Sequence, residues 1–178
     1  MDTEFFEQLA LPLFDSLYNL AHWLTGDRVD AEDLVQETYA KALKGFKSFQ
    51  EGTNLRAWMF RILRNTFLTS RSGLMAQNTF SLDDEPEVAE SRAAHTVTPE
   101  AILLQGENQQ TILDALAALP VHYREMILLC DVEELSYREI AEILSLPIGT
   151  VMSRLSRARN SLRQKLAMPS MRSQHEAV

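Results

Sequence analysis

The sequence predicts an all-α protein built as two small helical domains joined by a flexible linker. Apolar residues recur at steps of three or four in several separate stretches, the period of a helix with one buried face. From Arg71 to about Thr98 that pattern gives way to Ser, Gly, Asp, Glu, Ala and Thr, a composition that buries too little apolar surface to fold. Beyond it, Ser136 to Lys165 has the plan of two helices around a tight turn.

The first segment runs from Phe5 to Leu24, with Phe6, Leu9, Leu13, Leu17, Leu20 and Leu24 inward and Pro12 as a boundary or kink. Thr25-Gly26-Asp27 interrupts it. Asp30 is expected to cap the next helix, with Asp33 three positions on and further acids where the helix dipole favours them. Ala31, Leu34, Val35, Tyr39, Ala42, Leu43 and Phe46 form its buried stripe, leaving Glu32, Asp33, Gln36, Glu37, Ala40 and Lys41 outward. An acidic face of this kind is ordinary solvated surface unless a partner covers it.

After a turn around Gln50 to Thr53, a third helix spans about Asn54 to Ser70. Leu55, Trp58, Met59, Ile62, Leu63, Thr66 and Phe67 are its inward stripe, with Arg56, Phe60, Arg61, Arg64, Asn65 and Leu68 elsewhere. Trp58 falls in the buried set and reads as core, not as a base-stacking side chain. Arg61, Arg64 and Asn65, interleaved with exposed aromatic side chains, suit single-stranded nucleic acid, whose backbone meets guanidinium groups while unstacked bases meet flat faces.

Thr98-Pro99 restarts helix as a cap followed by proline at the first helical position. A helix through Ile112, Leu113, Leu116 and Leu119 follows, and Pro120 opens another covering Tyr123 to Cys130, with Asp131 to Leu135 leading onward. Ser136 and Glu139 make a capping box, backed by Ile140, Ala141 and Leu144. Ser145-Leu146-Pro147 stops that helix, because Pro147 lacks a backbone donor and pushes Leu146 out of the helical region.

The next helix buries Ile148, Val151, Leu155, Ala158, Leu162 and Leu166. Its opposite face carries Gly149, Ser153, Ser156, Arg157, Asn160 and Gln164, flanked by Arg154, Arg159 and Arg163. A helix-turn-helix of this plan sets its second helix in a major groove. Arg157 could then bond a guanine edge, Ser153 and Ser156 could reach bases or phosphates, and Arg159 and Arg163 could reach phosphates. A solvated basic surface helix is the plainer reading, and the turn chemistry argues against it. Met168 onward is expected to be a disordered tail.

The whole-chain charge of -8 excludes a protein that coats nucleic acid. The charge is unevenly placed, however. Acids load the N-terminal part and residues 83–90, whereas basic residues gather in two islands, Lys41 to Arg71 and Arg154 to Arg172, and Ile143 to His175 holds no acid at all. Nucleic acid is thus expected at two places, with a protein partner on acidic surface elsewhere. Cys130 is the lone cysteine and sits in an apolar run, so no internal disulfide forms and a buried, inert thiol is expected. Histidines 22, 95, 122 and 175 lack zinc-ligand spacing, and no metal or other cofactor is expected. No signal peptide and no apolar run near membrane-spanning length is present, which predicts a cytoplasmic protein without membrane insertion.

Three motifs carry a family resemblance: Asp30-Ala31-Glu32-Asp33-Leu34-Val35-Gln36-Glu37-Thr38-Tyr39, then Leu55-Arg56-Ala57-Trp58-Met59-Phe60-Arg61-Ile62-Leu63-Arg64-Asn65-Thr66, then Gly149-Thr150-Val151-Met152-Ser153-Arg154-Leu155. In this order and at these distances they resemble the bacterial extracytoplasmic-function (ECF) sigma factors of RNA polymerase. The match covers most of residues 5 to 167. Glu51 to Leu55 and Pro147 to Leu155 are especially similar to the redox-responsive branch regulated by zinc-binding anti-sigma factors.

The resemblance implies a division of labour. Residues 1–75 would be sigma region 2, 76–98 an acidic linker through the polymerase cleft, 99–168 sigma region 4, and 169–178 the tail. Asp30, Glu32, Asp33, Gln36 and Glu37 would dock on the clamp helices of the largest core RNA polymerase subunit, with the flap as a further contact. Arg61, Arg64, Asn65, Leu68 and Arg71 would open the -10 element and hold its strand. Thr150, Met152, Ser153, Arg154, Ser156, Arg157 and Arg159 would read the -35 element of promoter DNA. An anti-sigma factor would cover the acidic helix and the -35 helix.

The sequence departs from the family at two places. The loop Arg71 to Asn78 lacks the usual Lys and Arg, which predicts weaker or different -10 contacts, and Met152 and Ser156 replace a basic and an aromatic residue of some relatives. Two rival functions follow from the residues alone. A stand-alone helix-turn-helix regulator of duplex DNA leaves the acidic helix and Arg61, Arg64 and Asn65 unused. An enzyme lacks a nucleophile with a base, a phosphate loop and a metal set.

Overall fold

The structure is a computed structural model that describes residues 3–50, 52–72 and 109–167. Among the described residues it is helical throughout, with no strand. The linker expected over residues 76–98, the helix start at Pro99, the tail from Met168 and the loop residues 73–78 lie outside the described residues.

Helix α1 (Thr3–Ala10) passes through a 3-10 turn (Leu11–Leu13) into α2 (Phe14–Thr25). Pro12 sits at the start of that turn, as its missing N–H requires. The change of phase there turns Leu9 outward, 41% exposed, against the expected stripe. Gly26, at φ 74°, closes α2 in the left-handed conformation that costs glycine least.

Helix α3 (Arg28–Gly45) then starts earlier than expected. Its cap is Asp27 and not Asp30: Asp27 is extended, and its carboxylate accepts from the Asp30 backbone N–H at 3.0 Å. Gly26 ends α2 one residue before Asp27, so Asp27 is the first carboxylate to face the free donors. Thr38 is fully buried in α3 although it is polar, because its hydroxyl donates to the Leu34 carbonyl at 2.7 Å. Leu43, expected inside, is exposed.

Helix α4 (Leu55–Ser72) is capped by Asn54, whose side-chain oxygen accepts from Ala57 N–H at 3.2 Å. The core of this first unit is α2 on α3 and α3 on α4. Tyr39 seals it at the α1 end, its hydroxyl donating to the Ala10 carbonyl at 2.7 Å; burial pushes that phenol up to about 12.

The second unit comprises α5 (Gln109–Ala117), α6 (Val121–Ile127), α7 (Tyr137–Leu144) and α8 (Ile148–Ala167). Pro120 caps α6 as expected, but the helix does not simply end near Cys130. It continues as a wider π turn over Leu128–Val132, where Glu133 N–H donates to the Leu128 carbonyl at 2.9 Å. The Ser136–Glu139 capping box is complete, and hydrogen bonds from Ser136 hold the Glu139 carboxyl below the usual range. Ser145 takes φ 54° to end α7, and α8 follows after Pro147. Helices α5, α6 and α7 all pack on α8, which buries Val151, Leu155, Ala158 and Leu162. Ile148, expected in that stripe, is exposed at the helix start, where no neighbour covers it.

The two units also pack on each other. Helix α4 lies against α7, and α2 against α6. Phe60, assigned by periodicity to the exposed part of α4, is fully buried. At 100° per residue it falls midway between Arg56 and Arg64, the two α4 cations that reach the second unit.

Candidate nucleic-acid interface

On α8 the expected outer face is in the open. Gly149, Met152, Ser153, Ser156, Arg157, Asn160 and Gln164 are all exposed, and Thr150 is half-buried. The αL turn at Ser145 and the proline at 147 separate α8 from α7 in the chain. Ser153 donates to the Thr150 carbonyl at 3.1 Å, a bond its hydroxyl can exchange for another acceptor. Arg157 makes no hydrogen bond or ion pair among the described residues. It is an exposed cation in the middle of this face.

The flanking arginines differ. Arg159 grips Asp131 on the π turn with two bonds, Nη2 to Oδ1 at 2.5 Å and Nε to Oδ2 at 3.1 Å. Asp131 raises the affinity of that guanidinium for its proton further. Geometry therefore gives Arg159 a prior partner inside its own unit, one that a phosphate would have to displace. Arg154 is half-buried and turns toward the first unit, lining the cavity between them.

On α4 the candidates for single-strand contact divide in the same way. Arg61 and Asn65 are exposed and without a side-chain partner among the described residues, and Arg71 is exposed with its guanidinium 5.1 Å over the Phe67 ring. Arg64 instead points into the seam, Nε to Glu125 Oε1 at 2.9 Å, and half-buried Leu68 lines the adjoining cavity. Trp58, expected in the core, is partly buried against Phe49, ring centroids 5.1 Å apart.

The outward acids of α3 form a separate surface. Asp30, Asp33, Gln36 and Glu37 are exposed and Glu32 half-exposed. Glu32 pairs with Arg28 at 3.0 Å and Glu37 with Lys41 at 2.7 Å, both one turn apart on the same helix and contributing little in water. Asp33 and Gln36 have no partner among the described residues, so this face offers a mostly negative, polar ridge.

Periodicity missed the acids that meet α4 and its cap Asn54: Glu125 and Glu133 on the helix, Glu139 on the cap. One sign was available, since Glu125 stands inside the apolar stretch Tyr123 to Cys130, where a charge needs a partner. Among the described residues no group of His, Cys, Asp and Glu is set to hold a metal, and no helix is long and apolar enough to cross a membrane. Cys130 is half-buried and not fully so, but burial and Asp131 push its thiol up to about 11. That shift of about two units makes the thiolate at neutral pH scarcer by about 100-fold, and alkylation by iodoacetamide is expected to be slower by about that factor. Labelling at the rate of a free cysteine would refute the assignment.

Residues 13–73 match the family Sigma-70 region 2, and residues 109–162 match Sigma-70, region 4. The chain is 35% identical over 172 residues to the ECF RNA polymerase sigma factor SigE of Mycolicibacterium smegmatis, covering 92% of this chain and 65% of that protein. It is 33% identical over 158 residues to the ECF RNA polymerase sigma factor SigW of Bacillus subtilis, covering 85% and 83%. Among solved structures, the sigma factor RpoE in complex with the anti-sigma factor NepR from Bartonella quintana is similar at TM-score 0.70 and 35% identity, over 92% of this chain and 98% of that one. CnrH in complex with the cytosolic domain of CnrY is similar at TM-score 0.63 and 25% identity, over 93% and 89%.

Proposed function

The chain belongs to the ECF RNA polymerase sigma factors of the sigma-70 family, and from that membership we infer that it directs core RNA polymerase to specific promoters and does no chemistry itself. Residues 1–75 act as region 2 and residues 99–168 as region 4, joined by a linker over 76–98. The outer face of α8, with Thr150, Met152, Ser153, Ser156 and Arg157, reads the -35 element as duplex, and Arg154 and Arg159 serve at its margins. Arg61, Arg64, Asn65, Leu68 and Arg71 hold the -10 strand once it is melted. Asp30, Glu32, Asp33, Gln36 and Glu37 dock on the clamp helices of the largest polymerase subunit, and region 4 on the flap. The protein thereby lowers the free energy of the opened promoter by binding the strand that melting exposes.

The observation that carries this reading is the presence in one chain of two unlike basic helices, a helix-turn-helix face and an Arg/Asn helix, beside an acidic ridge. The structural likeness to a sigma factor solved with an anti-sigma factor supports regulation by such a partner, acting in the cytoplasm. The motifs at Glu51 to Leu55 and Pro147 to Leu155 support the finer placing, a redox-responsive branch with a zinc-binding anti-sigma factor.

Run-off transcription with purified core polymerase on a genomic-fragment library tests the proposal. New transcripts sharing a -35 and a -10 element are expected only when the protein is added. No stimulation by folded, inhibitor-free protein would leave the duplex-binding regulator as the better account.

A further inference from the structure

Between the two units lies a cavity of about 310 Å³, a volume within the range of small-molecule sites, about 300–1,000 Å³. Most of its lining is hydrocarbon. Leu24, Phe67, Met126 and Leu144 are buried and form an apolar floor, which the half-buried Leu68 and Leu146 continue outward. Exposed Ser145 borders it too, so the cavity meets solvent. Water gains little on such a floor, because it offers no hydrogen-bond partners. The lining also forfeits dispersion contacts that a filled core would make, and an apolar chain entering the cavity restores them.

The charges around the cavity do not cancel. Arg64, Glu125 and Arg154 border it, and Arg64 and Glu125 are spent on each other, Nε to Oε1 at 2.9 Å. Arg154 makes no hydrogen bond or ion pair among the described residues, although its charge reaches the Glu125 carboxylate and favours its ionised form. One half-buried positive charge is therefore left over beside apolar walls. His122, the remaining titratable group of the lining, adds charge of the same sign when protonated. A partly desolvated guanidinium in this setting suits an anion carried on an apolar body, since it bonds a carboxylate with two parallel donors.

We propose that this cavity is a binding site for a single-chain amphiphile with an anionic head, a medium-chain fatty acid, whose carboxylate is held by Arg154 and whose hydrocarbon lies over Leu24, Phe67 and Met126. Helices α2 and α4 supply part of the lining, and α6, the turn after α7, and α8 supply the rest. A ligand that touches both units stabilises the folded chain by mass action. The site follows from the cavity and its charges alone and does not depend on the sigma reading.

The test is calorimetric titration of the full chain with octanoate, with uncharged 1-octanol as the control of equal chain length. Octanoate should saturate one site per chain and bind about tenfold or more tighter than octanol, the usual worth of a charge-assisted bond to the head. Arg154→Gln should lower octanoate to the affinity of octanol and leave octanol unchanged. Leu146→Trp, which fills the cavity from its half-buried wall, should abolish binding of both. Thermal melting by circular dichroism reports that each variant is folded, and octanoate should raise the melting temperature of the wild type and not that of Leu146→Trp. Absence of a saturable octanoate site in the wild type overturns the proposal, as does equal affinity for octanol. So does octanoate binding that Arg154→Gln leaves unaltered or that persists in folded Leu146→Trp. None of these outcomes bears on promoter use, so failure here leaves the sigma reading standing, and run-off transcription tests that reading separately.

Discussion

Truncating Phe60 to alanine is expected to destabilise the protein by about 3–5 kcal/mol, the usual range for a large ring deleted from a packed core. The ring is fully buried and lies on the side of α4 that carries Arg56 and Arg64, the side that faces the second unit. Phe60→Leu should recover most of the stability. Urea unfolding of the wild type and the two variants measures it. A loss under about 1 kcal/mol for the alanine variant, typical of a surface change, would mean that this side of α4 is bare in solution.

Replacing Arg157 by alanine is expected to remove about 1–3 kcal/mol of discrimination at one position of the -35 element, roughly 5- to 150-fold in relative promoter use. Arg157 is exposed in the middle of the open α8 face and has no partner to leave before it binds. Stability should be nearly unchanged. Arg159→Ala provides the contrast, because that guanidinium holds Asp131. Its loss should lower the melting temperature and leave the pattern of base preference intact. A panel of promoters substituted at each -35 position measures both. An unaltered preference profile for Arg157→Ala would remove it from base reading, and a profile altered only by Arg159→Ala would exchange their roles.

Much of the architecture was legible from local chemistry. The helices around Leu17, Val35, Leu63 and Leu155 follow from the 3.6-residue period, and the helix-turn-helix from a capping box and a proline. These signals are local because a helix satisfies its own backbone and shows its buried face at fixed spacing. The open Ser153-Ser156-Arg157 face followed from the same wheel. Asp27 was missed as a cap because the choice between two nearby aspartates depends on where Gly26 ends the preceding helix.

By itself, then, the sequence determined which segments are helical, which faces they bury within each unit, and which family the motifs belong to. Tertiary structure alone decided how the arginines are used. Arg61, Arg64, Arg157 and Arg159 look alike in sequence, yet two stand open and two are held by Glu125 and Asp131, which lie 61 and 28 residues away in the chain. It also decided that Phe60 is inside. A helical period assigns one buried face per helix, and α4 has a second because region 4 packs on it. That contact also sets buried carboxylates opposite arginines, a pairing that depends on position in space and leaves no period in the chain.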